Sequence, residues 1–137
     1  MNMWLEYFQN AEIHGIDYIP NTVPEGAIFH QVDCEDEQAI MSFATENNQW
    51  DILIDDGGHT MLQQQLAFKH LWKTVKPGMF YVIEDLHTSF LPYLSRCNKE
   101  NLPTTYEMLM ALKMEQNLKM NLSRASLLKK LKMKLHQ

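Results

Sequence analysis

Four short apolar runs in this chain close on acidic residues, and helix-patterned stretches separate them. Glu12–Asp17, Ala27–Asp33 and Trp50–Asp55 each end in an aspartate, and Met79–Ile83 runs straight into Glu84-Asp85. Brief apolar runs of this kind are the pattern of strands covered on both faces in a parallel sheet. Between them, Met3, Trp4, Tyr7 and Phe8 share one side of a short helix over residues 2–9. Ala39, Ile40, Phe43 and Ala44 do the same from Asp36 to Asn47. Pro20, Asn21, Pro24 and Gly26 mark a loop. Leu62, Leu66, Leu71, Trp72 and Val75 predict a helix that Thr60 caps and Pro77-Gly78 stops. Strand and helix in alternation predict an α/β fold, a partial doubly wound sheet of about four mostly parallel strands with flanking helices. Ligands of such sheets bind beyond the carboxyl ends of the strands, where the acids here gather.

Beyond Asp85 the pattern changes. His87–Pro103 holds Pro92 and Pro103 and reads as a long loop, a candidate lid over the site. Thr104 opens a helical stretch with Tyr106, Met108, Leu109, Leu112 and Met114 apolar, and past Asn121 an amphipathic helix carries Leu122, Ala125, Leu128, Leu131 and Leu135. The sequence therefore divides into an α/β core over 1–103 and a helical, basic segment over 104–137.

Charge sharpens that division. The net charge is −5, yet residues 113–137 carry seven Lys/Arg against Glu115 alone, which leaves −11 on the rest. An acidic core repels phosphates and disfavours a nucleic-acid substrate, whereas the basic helix suits either contact with nucleic acid or anionic lipid or a plain solvated face. No apolar run reaches the roughly 18 residues of a membrane span, and no signal peptide is legible. Cys34 and Cys97 lack the spacing of a zinc site or a disulfide framework, so a reducing, cytoplasmic setting is expected. Oligomeric state leaves no mark in the sequence.

The chemistry concentrates in two places. Asp55-Asp56-Gly57-Gly58-His59 follows an apolar strand directly, and two adjacent acids there cannot both enter the core unpaired. The glycines are expected to permit a tight turn and close backbone approach to a ligand. Glu84-Asp85 ends the next strand, so Asp56, Glu84 and Asp85 can converge. Three converging carboxylates repel one another unless a cation lies between them, and an oxygen-rich set suits Mg²⁺ or a similar hard ion. His59, facing the same crevice, can take up a proton near neutral pH.

Ile54–His59, the helix after it, Lys76-Pro77-Gly78 and Tyr81–Thr88 together resemble the macrocin and mycinamicin sugar O-methyltransferase family. Its members are class I, Rossmann-like enzymes that use S-adenosylmethionine and a divalent metal. The resemblance implies that Asp56, Glu84 and Asp85 hold Mg²⁺ and that His59 is the general base toward a sugar hydroxyl on a small-molecule acceptor. It also implies cofactor contacts by Asp17 at the ribose, by Asp33 and Cys34 near the adenine, and by Asp55. The family usually carries serine where Gly58 stands here. His14, His30 and His70 match no functional position and are read as surface or packing residues, while His87 is a further candidate for the pocket lining.

The family's first strand ends in a glycine-rich cofactor loop, and none of the five glycines here precedes the helix over 2–9. In the class I strand order that strand separates the ones ending in Asp17 and Asp55, so their facing edges are expected to be unpaired. Residues 104–137 also look helical where family members continue with strands. The expectation is a truncated methyltransferase core. Its alternative function is that of a catalytically inactive remnant that binds a partner through the basic C-terminal helix.

Overall fold

Local signals set most of the elements. The structure, a computed structural model, describes residues 1–20 and 23–134. Asn21 lies outside them. Helix α1 spans Asn2–Tyr7, strand β1 Ile13–Asp17, strand β2 Ala27–Gln31, helix α2 Glu37–Glu46, strand β3 Trp50–Asp55 and helix α3 Met61–Leu71. A 3-10 turn at Trp72–Thr74 leads into strand β4, Val75–Ile83, and a second at Leu86–Ser89 is followed by helices α4, Leu94–Cys97, and α5, Thr105–Lys134. Asp36 caps α2 by accepting from the amides of Gln38 and Ala39, and Thr60 caps α3 by accepting from that of Gln63. Each cap satisfies backbone donors that the first helical turn leaves free.

The chain divides into two units, Met1–Leu102 and Pro103–Gln137. The first is the α/β unit. Its strands form two parallel pairs, β1 with β2 and β3 with β4. In register, Ile13 faces Ala27 and Asp17 faces Gln31, while Leu53 faces Tyr81 and Asp55 faces Ile83. Each ladder runs one residue past its strands, through Val32 N–H to the Asp17 carbonyl and Glu84 N–H to the Asp55 carbonyl. Among the described residues β1 and β3 are not paired with each other. The pairs are instead linked by the core of Val32, Ile40, Phe43, Ala67 and Leu71, against which Trp50, Leu53 and Tyr81 pack. The His14 ring also meets Trp50 edge-on at 4.8 Å between centroids.

Several expectations shift. The second strand ends at Gln31 rather than Asp33, because Asp33 turns to cap the loop, its carboxylate accepting from the Glu35 amide at 2.8 Å. Helix α3 stops at Leu71 rather than Val75, and Val75 already pairs with Trp50 in β4. Pro77 and Gly78 thus sit inside a strand. The register shifts between Trp50 and Ile52, and Gly78 takes φ +84, a conformation side-chain-bearing residues rarely adopt. The buried stripe of α3 is Met61, Gln64, Ala67 and Leu71 instead of the expected leucine face, and Trp72 is exposed.

The segment expected as one long loop contains the second 3-10 turn and α4. The two helical stretches expected after Thr104 are one 30-residue helix. No glycine or proline interrupts 104–134, and Thr104 and Glu107 form a capping box at its start. The stripe expected at Ala125, Leu128, Leu131 and Leu135 lies outside the described side chains.

Candidate active site

Two turns at the carboxyl ends of β3 and β4 build the site. The first runs from Asp55 through Gly57 and Gly58 to His59, just ahead of the Thr60 cap. Neither glycine of the turn takes a positive φ; His59 itself carries the left-handed conformation at φ +58. Gly58 has a different reason: a Cβ at this position would collide with the Gln63 side-chain amide, which occupies that space. The second turn pivots on Asp85, also left-handed at φ +54, and Thr88 closes it by donating from its amide and its hydroxyl to the Asp85 carbonyl. Asp and His are among the residues that tolerate this conformation best.

These turns bring Asp56, His59 and Asp85 together, with one ligand atom from each inside 4.8 Å of the others. His59 Nε2 lies 3.5 Å from Asp85 Oδ2 and 3.9 Å from Asp56 Oδ1. The carboxylates are about half exposed or more, and the imidazole is largely covered. On the other side of the same carboxylate, His87 Nδ1 is 3.5 Å from Asp85 Oδ1. Glu84 is held by its backbone, with its amide on the Asp55 carbonyl and its carbonyl accepting from Gln64 Nε2 at 3.1 Å. Its carboxylate is not in the Asp56–His59–Asp85 group.

A second constellation surrounds Cys34. Burial pushes the thiol up to about 11, and the charges of Asp55, Asp33 and Asp17 push the same way, so the acids ending β1 and β3 both bear on this one side chain. Burial likewise raises Asp55 above the usual carboxylate range, opposed by the Gly57 amide and His59 and reinforced by Asp56. Tyr81 is raised by burial first, then by Asp55 and Cys34. Asp55 Oδ2, the Tyr81 hydroxyl and His59 Nδ1 are buried with no hydrogen-bond partner among the described residues. Such atoms are costly unless something satisfies them.

The structure therefore groups Asp56 with His59 and Asp85, while the charges of Asp17, Asp33 and Asp55 all bear on Cys34. Tyr81 and Gln64 escaped the sequence reading. Tyr81 was hidden in an apolar strand, and Gln64 is a fully buried polar residue on a helix whose buried face leucine spacing misplaced. The one legible signal for Gln64 was a glutamine three residues from Met61 and three from Ala67.

No protein-family model matches the chain. Among characterised proteins it is 38% identical over 94 residues to the 8-demethyl-8-(2-methoxy-alpha-L-rhamnosyl)-tetracenomycin-C 3'-O-methyltransferase of Streptomyces olivaceus, covering 67% of this chain and 24% of that protein. It is 30% identical over 94 residues to the mycinamicin VI 2''-O-methyltransferase of Micromonospora griseorubida, with 67% and 24% covered. Among solved structures it superposes on the MycE methyltransferase of the mycinamycin biosynthetic pathway, in complex with Mg and SAH, at a TM-score of 0.69 and 28% identity. That match covers 80% of this chain and 31% of the other, and a further structure of the same enzyme holds Mg, SAH and mycinamycin VI. The chain spans about a quarter of the length of the curated relatives it matches. By sequence and by fold, then, it is a relative of the sugar O-methyltransferases of the macrocin and mycinamicin type.

Proposed function

We propose that this chain carries the metal-and-base half of an S-adenosylmethionine-dependent O-methyltransferase acting on a sugar hydroxyl of a glycosylated small molecule. The observation that carries this reading is the convergence of Asp56, His59 and Asp85 at the carboxyl ends of two paired strands. Their donors are oxygen-rich and open to solvent, which fits a hard divalent ion that keeps several waters. Asp56 and Asp85, with Glu84 as the third carboxylate, would hold Mg²⁺, and the ion would supply Lewis-acid polarisation of the acceptor oxygen.

His59 is the base in this reading. Its Nε2 faces the same opening as the carboxylates, so an acceptor hydroxyl placed there meets a proton acceptor directly. A proton taken by Nε2 is then held between two anionic oxygens. Asp17, Asp33, Cys34 and Asp55 would line the cofactor. Acids whose charges bear together on Cys34 suit a ligand bearing a sulfonium and an ammonium, and the unpartnered Asp55 and Tyr81 oxygens are polar atoms such a ligand would satisfy. S-adenosylmethionine would supply the electrophilic methyl group, and the protein's contribution is to orient the acceptor toward it.

The test is a paired one. Mn²⁺ titration followed by paramagnetic resonance should show binding to the wild-type chain and its loss in Asp56→Asn. Methyl transfer from labelled S-adenosylmethionine to a rhamnoside acceptor should disappear in His59→Gln while Mn²⁺ binding persists. Absence of metal binding by the wild type would sink the reading.

A second reading, that of an interaction protein, rests on α5. Leu112, Met114, Leu118 and Met120 are exposed along it, and Lys113 and Lys119 interleave with them. In this reading residues 104–137 act as a basic binding segment distinct from the 1–103 core. Pull-down of an acidic partner lost on deletion of 104–137, with no cofactor bound, would favour it. Among the described residues no helix is long and apolar enough to cross a membrane, and we propose a cytoplasmic location.

A further inference from the structure

The Asp85 carboxylate is bracketed by two histidines. His59 Nε2 faces its Oδ2 and His87 Nδ1 faces its Oδ1, each at 3.5 Å. The His87 ring is in turn set edge-on against Tyr93, with centroids 4.8 Å apart and planes at 85°. Tyr93 lies beneath the Arg96 guanidinium, 6.0 Å from the ring centroid. Backbone geometry favours the arrangement: Asp85 sits in a left-handed pivot, and the 3-10 turn that follows projects His87 back beside it.

We infer that His87 is a positioning residue, which fixes the Asp85 carboxylate so that Oδ2 is presented to His59 and the metal site. The inference rests on the reading that Asp85 is a metal ligand. A half-exposed aspartate on a pivot residue is free to rotate about its side-chain bonds. Anchoring one oxygen removes that freedom and leaves the other aimed. At 3.5 Å the approach is of ion-pair range, and because an ionised carboxylate only accepts hydrogen bonds, Nδ1 anchors Oδ1 in the form that carries its proton there. Free neutral imidazole has no such constraint on its tautomer. Outer partners of ligating carboxylates contribute about ten-fold or more to metal affinity.

The experiment uses the whole chain and two readouts. Mn²⁺ affinity should fall about ten-fold in His87→Ala. His87→Asn, whose amide N–H can stand where Nδ1–H stood, should recover most of it, and His87→Gln should not. Independently of metal, long-range ¹H–¹⁵N spectra above the imidazole titration range should show His87 protonated at Nδ1, and Asp85→Asn should abolish that preference.

An unchanged Mn²⁺ affinity in His87→Ala, or an Nε2–H tautomer in a wild type that binds metal, overturns this inference alone. A wild type that binds no Mn²⁺ overturns the metal reading and this inference with it. Because His87 is more than half exposed, its truncation leaves no core void, and a folded variant is expected.

Discussion

His59 and Asp85 are both left-handed, at φ +58 and +54, and their side chains meet at 3.5 Å across the two turns. Two non-glycine residues in that conformation, facing each other, mark a place where backbone comfort yields to side-chain placement. Replacing Asp85 separates the two effects. Asp85→Gly relieves roughly 1 kcal/mol of left-handed strain but adds a similar unfolded-state entropy, so its melting temperature should stay near wild type while Mn²⁺ binding is lost. Asp85→Val should be less stable by about 1–2 kcal/mol, because a β-branched residue fits that conformation poorly. Thermal melts of the two variants check the sign.

Cys34 offers a chemical probe of the acidic crescent. With the thiol pushed up by burial to about 11, its thiolate fraction near neutral pH is strongly suppressed. Alkylation by iodoacetamide should therefore run about 100-fold slower in the folded chain than in urea at about pH 8. Asp55→Asn removes the largest of the three charges acting on it and should speed the reaction in the folded state. Mass mapping of the labelled cysteine gives the rate.

Acid should loosen the link between β1 and β2. Glu12 accepts from His14 Nε2 at 2.6 Å, so neutral His14 presents a bare Nδ1, and His30 Nε2–H must donate to it at 2.8 Å. Burial, then His14, lowers His30 below 6.5, so the unfolded chain takes up a proton before the folded one does. The sign follows: stability is fully present above pH 6.5 and declines as pH falls from there through the lower folded value. Urea midpoints should drop over this window. His30→Phe, which keeps an aromatic ring against Phe43, should flatten the drop.

Gly58 is expected to tolerate a serine despite the crowding by Gln63. A Cβ there displaces the flexible end of Gln63, whose amide hydrogen bond to Glu35 is exposed. Gly58→Ser should cost less than about 1 kcal/mol and leave Mn²⁺ binding intact. A larger loss in urea titration would show that Gln63 cannot move aside.

How much of this was legible beforehand depends on which force sets each feature. Strands β1 and β3, the helical stretch from Asp36 and the Thr60 cap are local, and residue type and spacing located them. The approach of Asp56 and Asp85 was legible because acids following apolar runs have few places to go. Helix α3 failed because its buried stripe includes Gln64 and Ala67, which leucine spacing cannot reveal; tertiary contacts to Glu84 and the core chose the face. The start of β4 failed because Pro77-Gly78 ordinarily ends an element, yet here the register shift absorbs both residues within a strand. Glu84 remained out of the cluster because its backbone, pinned to Asp55, settles where its chain runs but not where its carboxylate turns.

That register shift has a consequence for how the β3–β4 pair can vary. The irregularity lies at the Trp50 and Val75 end, and pairing is unbroken from Ile52–Phe80 to Asp55–Ile83. Length changes near Pro77 can be taken up where the ladder already slips. A one-residue change between Ile52 and Asp55, by contrast, would slide one strand about 3.3 Å along its neighbour and swap the faces of every side chain beyond it. Asp56 and Asp85 would then miss each other. The strand pair has a forgiving end and an exacting one, and the two acids stand at the exacting end.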